Sequence, residues 1–221
     1  DYPALQAALD QVSKSGGKFY LPPGRYLHSR QLVYDATGRH NFVIEGAGTL
    51  VPMPEIATSQ LKIAGSHTPH CGAIRGFVFD HSNNATLRSG IELAGTAHVK
   101  IEQCTFILDN SRGFAPGYAC IRLRAGIAGN FDSSCFWTTI EGNTFRPYSG
   151  PSKRQEICVE LEGNNNATLI RGNAFSTGRV GVLQTPVGGN TANHVVITEN
   201  FFEGVDTCVR IVADAEKYWP T

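Results

Sequence analysis

The chain has 221 residues, with 19 basic and 19 acidic side chains and a formal net charge of zero, so no electrostatic signal directs it to nucleic acid. Its 24 glycines accompany 41% hydrophobic residues set in a pattern, which fits an all-β chain rich in tight turns and not disorder. No run of about 18 apolar residues occurs, so no membrane insertion is expected, and residue 1 opens directly into a helical pattern, so no signal peptide is visible in the sequence.

Asp1 to Lys14 predicts an amphipathic helix, with Asp1 as cap, Pro3 in the first turn, and Leu5, Ala8, Leu9 and Val12 as the apolar stripe. Gly16-Gly17 ends it, Lys18-Phe19-Tyr20-Leu21 predicts a first strand, and Pro22-Pro23-Gly24 a turn. A helix in this place suits the open end of a strand stack, where bare edges would otherwise aggregate.

The rest is a repeat. Short strands open at Ile44, Ile74, Ile101, Ile140, Ile170 and Ile197, at spacings of 30, 27, 39, 30 and 27 residues. Three copies read I-x-G-N-x-F or close to it: Ile140-Glu141-Gly142-Asn143-Thr144-Phe145, Ile170-Arg171-Gly172-Asn173-Ala174-Phe175 and Ile197-Thr198-Glu199-Asn200-Phe201-Phe202. A period of this size means one supersecondary unit per repeat, stacked to bury a continuous core. A second strand precedes each copy, as in Gly90-Ile91-Glu92-Leu93, Cys120-Ile121-Arg122-Leu123, Cys158-Val159-Glu160-Leu161, Gly181-Val182-Leu183-Gln184 and Cys208-Val209-Arg210-Ile211. Most alternate, one face apolar and one charged. Strand-only repeats predict an all-β, right-handed parallel β-helix with a short N-terminal capping α-helix: a single domain over 1–221, with the helix in 1–16 and the coils in 17–221.

Stacking predicts ladders. Phe79, Phe106, Phe145, Phe175 and Phe202 should pile up inside the cylinder. Asn143, Asn173 and Asn200 should stack at a bend, where Asn tolerates the left-handed conformation and its amide can bond to the next coil, with Phe77 and Cys104 in their place in earlier copies. The six cysteines show no metal-type spacing and read as small packed residues, not a disulfide framework.

The opening Asp1-Tyr2-Pro3-Ala4-Leu5, then Gly16-Gly17 and Leu21-Pro22-Pro23-Gly24-Arg25-Tyr26, followed by the I-x-G-N-x-F coils, resembles the pectate-lyase-like single-stranded right-handed β-helix superfamily. It is most similar to bacteriophage tailspikes and related polysaccharide-active proteins. The resemblance covers the whole chain and is specific for fold, since that superfamily includes lyases, hydrolases, epimerases and non-catalytic virion parts. It implies a polysaccharide partner, a homotrimer with coils side by side, an extracellular or virion location, and a chain that is one part of a longer module. No cofactor is implied. The alternative is a non-catalytic β-helix fibre or adhesin.

Glycan hydrolysis requires two carboxylates about 5 to 9.5 Å apart. Glu92, Arg122, Glu160 and Arg210 occupy equivalent positions on the charged face of the second strand set, with Arg124 and Glu162 two residues along. Glu160 and Glu162 share a face, about 6.6 Å apart at Cα, and Glu92 and Glu160 lie two coils apart, about 9.5 Å. Either pair suits an inverting mechanism, with Arg122 or Arg124 holding an acidic sugar. The same alternation of sign also suits plain cross-strand ion pairing. The 39-residue interval carries two insertions, which offer Asp132 as a further carboxylate and Tyr118, Phe131 and Trp137 as sugar-stacking rings, with Asp109 and Phe114 beside them. A subunit contact fits these insertions equally. No residue set predicts a metal site: the acidic cluster of a calcium-dependent lyase is missing. Phe79-Asp80-His81 lacks the proline of an epimerase-type Asp-Pro-His.

Overall fold

The computed structural model describes residues 1–66, 70–82, 84–108, 115–124, 134–147 and 156–212. They form a right-handed parallel β-helix capped by one helix, as the repeat predicts.

Three ladders wind along the axis. The first, the Ile ladder, pairs the start of Val43–Pro52 with Ala73–Arg75, Lys100–Glu102, Thr139–Glu141, Leu169–Arg171 and Val196–Thr198, placing Ile44, Ile74, Ile101, Ile140, Ile170 and Ile197 in register. The second, the Phe ladder, pairs the end of Val43–Pro52 with Val78–Asp80, Thr105–Leu108, Thr144–Pro147, Ala174–Phe175 and Phe201–Phe202. The third wall stacks Leu32–Asp35, Ser59–Ala64, Ser89–Ala94, Ala119–Arg124, Ile157–Glu162, Gly178–Thr185 and Val205–Ile211, all parallel.

The phenylalanine pile is continuous. Phe79, Phe106, Phe145, Phe175 and Phe202 follow one another at ring-centroid distances of 5.1, 5.0, 4.8 and 4.7 Å with planes within 8°. Such offset stacks contribute about 0.5–1.5 kcal/mol per pair beyond the apolar area they bury.

The asparagine ladder forms, and its amides bond to the next coil as expected, but the left-handed residue is the one before. Gly76, Gln103, Gly142, Gly172 and Glu199, which precede Phe77, Cys104, Asn143, Asn173 and Asn200, have φ of 80, 55, 63, 62 and 57°. The Asn side chains splice coils together. Asn173 Oδ1 accepts from the Asn143 N–H at 2.9 Å and Asn200 Oδ1 from the Asn173 N–H at 3.0 Å. Their Nδ2 groups donate to the Ile140 and Ile170 carbonyls at 3.0 and 2.9 Å. Backbone groups stranded by the bend thus find partners inside the core.

Three local expectations change. The helix runs Tyr2–Ser15 with Leu5 and Leu9 buried, but Asp1 makes no side-chain cap; its carboxylate accepts the Leu27 N–H at 3.0 Å. The first strand is longer than expected, Lys18–His28, and the Pro-Pro-Gly segment is not a turn. It is a register shift between Leu21 and Gly24 within a strand paired only to Val43–Pro52, where the missing proline donors cost nothing. Gly46 is required opposite that shift, since a Cβ there would lie 2.1 Å from the Leu21 carbonyl oxygen. All six cysteines are free; Cys104, Cys120, Cys135 and Cys158 are buried, whereas Cys71 and Cys208 are exposed.

Candidate functional site

The third wall carries the charge ladder, with Lys62, Glu92, Arg122, Glu160, Leu183 and Arg210 on successive rungs. Sequence reading found the middle of this column but missed Lys62, which lies 30 residues before Glu92 and repeats the coil period. The alternation stops at Leu183, which clusters with Ala119, Ile157 and Val180 in a small apolar group separate from the main core.

The structure buries this charged face: Glu92, Arg122 and Glu160 are only 6, 6 and 2% exposed. A groove of about 680 Å³ lies over them, lined also by Arg88, Arg124, Glu162, Thr185 and the rims at Pro116-Gly117 and Pro186. The Gly117 carbonyl accepts a hydrogen bond from Arg122 Nη2, which ties one rim to the floor.

Arg122 is the centre of the floor. Its Nε and Nη2 both reach Glu160 Oε2 at 2.8 Å, and Nε lies 3.3 Å from Glu162 Oε1. Arg124 Nε reaches Glu162 Oε2 at 3.4 Å and its Nη1 lies 4.0 Å from Glu92 Oε1, which Lys62 Nζ meets at 3.2 Å. Because one Nε contacts both carboxylates, those oxygens of Glu160 and Glu162 are at most about 6.1 Å apart, nearer the ~5–5.5 Å of a retaining pair than the wider inverting spacing expected from sequence. Burial raises the Glu160 carboxyl above its ordinary range; Arg122 partly offsets this and the charge of Glu162 adds to it.

A second charge column shows what is particular about the groove. Glu45, Arg75, Glu102, Glu141 and Arg171 line up along the Ile ladder, with the like charges of Glu102 and Glu141 on adjacent rungs and Arg75 bridging Glu45 at 2.6 Å and Glu102 at 3.5 Å. Arg75 and Arg171 are exposed and the three carboxylates half-buried, and the hydrogen bonds of Lys18 and Arg75 lower the Glu45 carboxyl. Burial on the groove floor and hydrogen bonding on this column thus move Glu160 and Glu45 in opposite directions.

The remaining candidates scatter. Tyr118 does not face the groove: it is fully buried, and its hydroxyl bonds to His81 Nδ1 inside the coil. His81 is buried too, and desolvation lowers its pKa to about 3, so Asp80-His81 is not presented to a substrate. Trp137 is 54% exposed but lies among His98, Lys100, Thr139 and Ala167, away from the groove lining. Asp132, Phe131, Asp109 and Phe114 lie outside the described residues. Arg88 is exposed in the groove and has no ion-pair partner among the described residues, a feature no sequence pattern marked. Among the described residues no group of three or more His, Cys, Asp or Glu is arranged to hold a metal, and no helix is long and apolar enough to cross a membrane.

Known structures share this coil. The tailspike protein of E. coli bacteriophage HK620, solved as a double mutant with a pentasaccharide, matches with a TM-score of 0.54 at 16% identity over 90% of this chain and 41% of its own. The A-module of the Azotobacter vinelandii mannuronan C-5 epimerase AlgE6 matches with a TM-score of 0.55 at 18% identity, over 95% of this chain and 68% of its own. The likeness is one of fold. The chain spans about two fifths of the tailspike's length. No family model and no curated protein matches the sequence.

Proposed function

We propose that the groove over Arg122 binds an acidic bacterial surface polysaccharide and that Glu160 and Glu162 hydrolyse it, as a tailspike-type depolymerase on a virion or outside the cell. The observation that carries this reading is Glu160, a carboxyl 2% exposed on the floor of an open groove, with its pKa raised by burial and a second carboxylate within about 6 Å. A raised carboxyl is suited to protonate a departing glycosidic oxygen. Glu162, more exposed and held between Arg122 and Arg124, lies beside it and supplies the nucleophile. Arg88, which faces the groove with no ion-pair partner among the described residues, would take the carboxylate of a uronic or similar sugar. The fold shared with a tailspike bound to a pentasaccharide supports glycan as the ligand class, and a homotrimer is the assembly we infer by the same analogy.

One observation favours a non-catalytic glycan-binding rod: each groove carboxylate already contacts a cation, so the column also reads as a satisfied network. Incubating the full-length assembly with capsular, O-antigen and uronate polysaccharides separates the readings. New reducing ends without absorbance at 235 nm support hydrolysis. A rise at 235 nm means β-elimination and rules out the carboxylate pair. Binding with no new ends establishes the rod.

A further inference from the structure

A second column of side chains lies outside the groove. Asn41, Cys71, His98, Trp137, Ala167 and His194 each stand three residues before an Ile-ladder isoleucine, and all six have left-handed φ, at 58, 47, 57, 49, 52 and 53°. None is glycine, and a bulky Trp in this region is uncommon, with strain on the order of 1–3 kcal/mol. The neighbouring backbone pairs in parallel register, Ala97 with Phe136, Phe136 with Asn166 and Asn166 with Asn193, so the column climbs one rung at a time.

Its rings form an interrupted stack. His98 and Trp137 lie face to face, with centroids 4.8 Å apart and planes within 7°. The next rung is Ala167, whose side chain ends at Cβ, and the one beyond is His194, which is exposed. At about 4.8 Å per rung, the levels of Trp137 and His194 are about 9.6 Å apart, two ring-stacking distances with one ring absent. A cavity of about 290 Å³ runs beside the His98, Trp137 and Ala167 rungs, lined by these three with Lys100 and Thr139. Lys100 is exposed and has no ion-pair partner among the described residues.

We infer that this cavity is a second glycan site, in which one pyranose ring of an acidic saccharide packs against Trp137 over Ala167 and its carboxylate meets Lys100. The short side chain of Ala167 leaves room for a sugar ring beside Trp137; the ammonium selects a charged over a neutral sugar. None of the five lining residues lines the groove, so the site shares with the groove reading only its ligand class.

The test follows the indole N–H resonance of Trp137 in the full chain, assigned against Trp137→Phe, during titration with oligogalacturonate hexamer, its methyl ester and cellohexaose. The expected result is a saturable shift with oligogalacturonate, weakened about three- to tenfold in the methyl ester and in Lys100→Gln. Ala167→Leu fills the slot while leaving Trp137 and Lys100 in place, and abolishes the shift. Silence with all three sugars, an equal response to cellohexaose, or unchanged binding by Ala167→Leu overturns the proposal. Glu160→Gln should titrate as the parent does, so failure of the groove reading leaves this result standing, and the reverse also holds.

Discussion

Replacing Arg122 by Met tests whether the groove floor is a paired, desolvated ion network. The side chains of Arg122 and Glu160 are 8 and 3% exposed, and two guanidinium nitrogens lie 2.8 Å from the same carboxylate oxygen. Removing the cation strands a carboxylate in a low-dielectric site, which costs about 3–5 kcal/mol. Protonation relieves part of that cost. Burial already raises the Glu160 carboxyl, and loss of Arg122 raises it further, so the penalty should be smaller near pH 5 than near pH 8. The double variant Arg122→Met/Glu160→Leu copies the apolar rung at Leu183 and should return to within about 1 kcal/mol of the parent, because replacing a whole buried pair by apolar groups is often neutral. Urea unfolding measures both, with hydrogen exchange on this wall as a local check should the coils unfold separately. A loss below about 1 kcal/mol in the single variant, or no recovery in the double, would refute the buried-pair argument.

Two further outcomes follow from the interior. Asn173→Ala leaves the Asn143 N–H and the Ile140 carbonyl without their side-chain partner, at about 1–3 kcal/mol each, and should lower stability by about 2–4 kcal/mol in urea unfolding; a loss under 1 kcal/mol would mean the ladder only fills space. His81, buried with its pKa lowered to about 3, contributes stability that is full above pH 6.5 and lost as pH falls toward 3, by about 1.4 kcal/mol per pH unit. Stability measured from pH 7 to pH 4 should therefore fall less steeply in His81→Gln than in the parent, and parallel profiles would contradict this assignment.

The period of the chain made the coil legible, because an Ile and a Phe at fixed offsets can only be buried by stacking like on like. The column Glu92-Arg122-Glu160 was legible for the same reason, since residues one coil apart in a parallel β-helix must be neighbours. What the sequence could not convey was the roof. Whether a charged face is solvated or desolvated depends on the rims at Pro116-Gly117 and Pro186, and their placement is a tertiary fact with no periodic signal. Tyr118 shows the converse error. An aromatic beside an insertion reads as a surface ring, yet it turns inward, where its hydroxyl hydrogen-bonds with His81 Nδ1 inside the core. The left-handed positions were misplaced by one residue: Asn stands out at a bend, but Gly142, Gly172, Gln103 and Glu199 make the turn and leave the amide free to splice coils.

The most direct test of the account compares the rate of new reducing ends from the cleaved polysaccharide for the parent and for Glu160→Gln, with binding of the same polysaccharide measured in parallel. Loss of a general acid on this floor should lower the rate by about 10²–10⁴-fold while binding stays within severalfold of the parent. A Glu160→Gln protein that cleaves at the parental rate would contradict the assignment of the groove as the hydrolytic site.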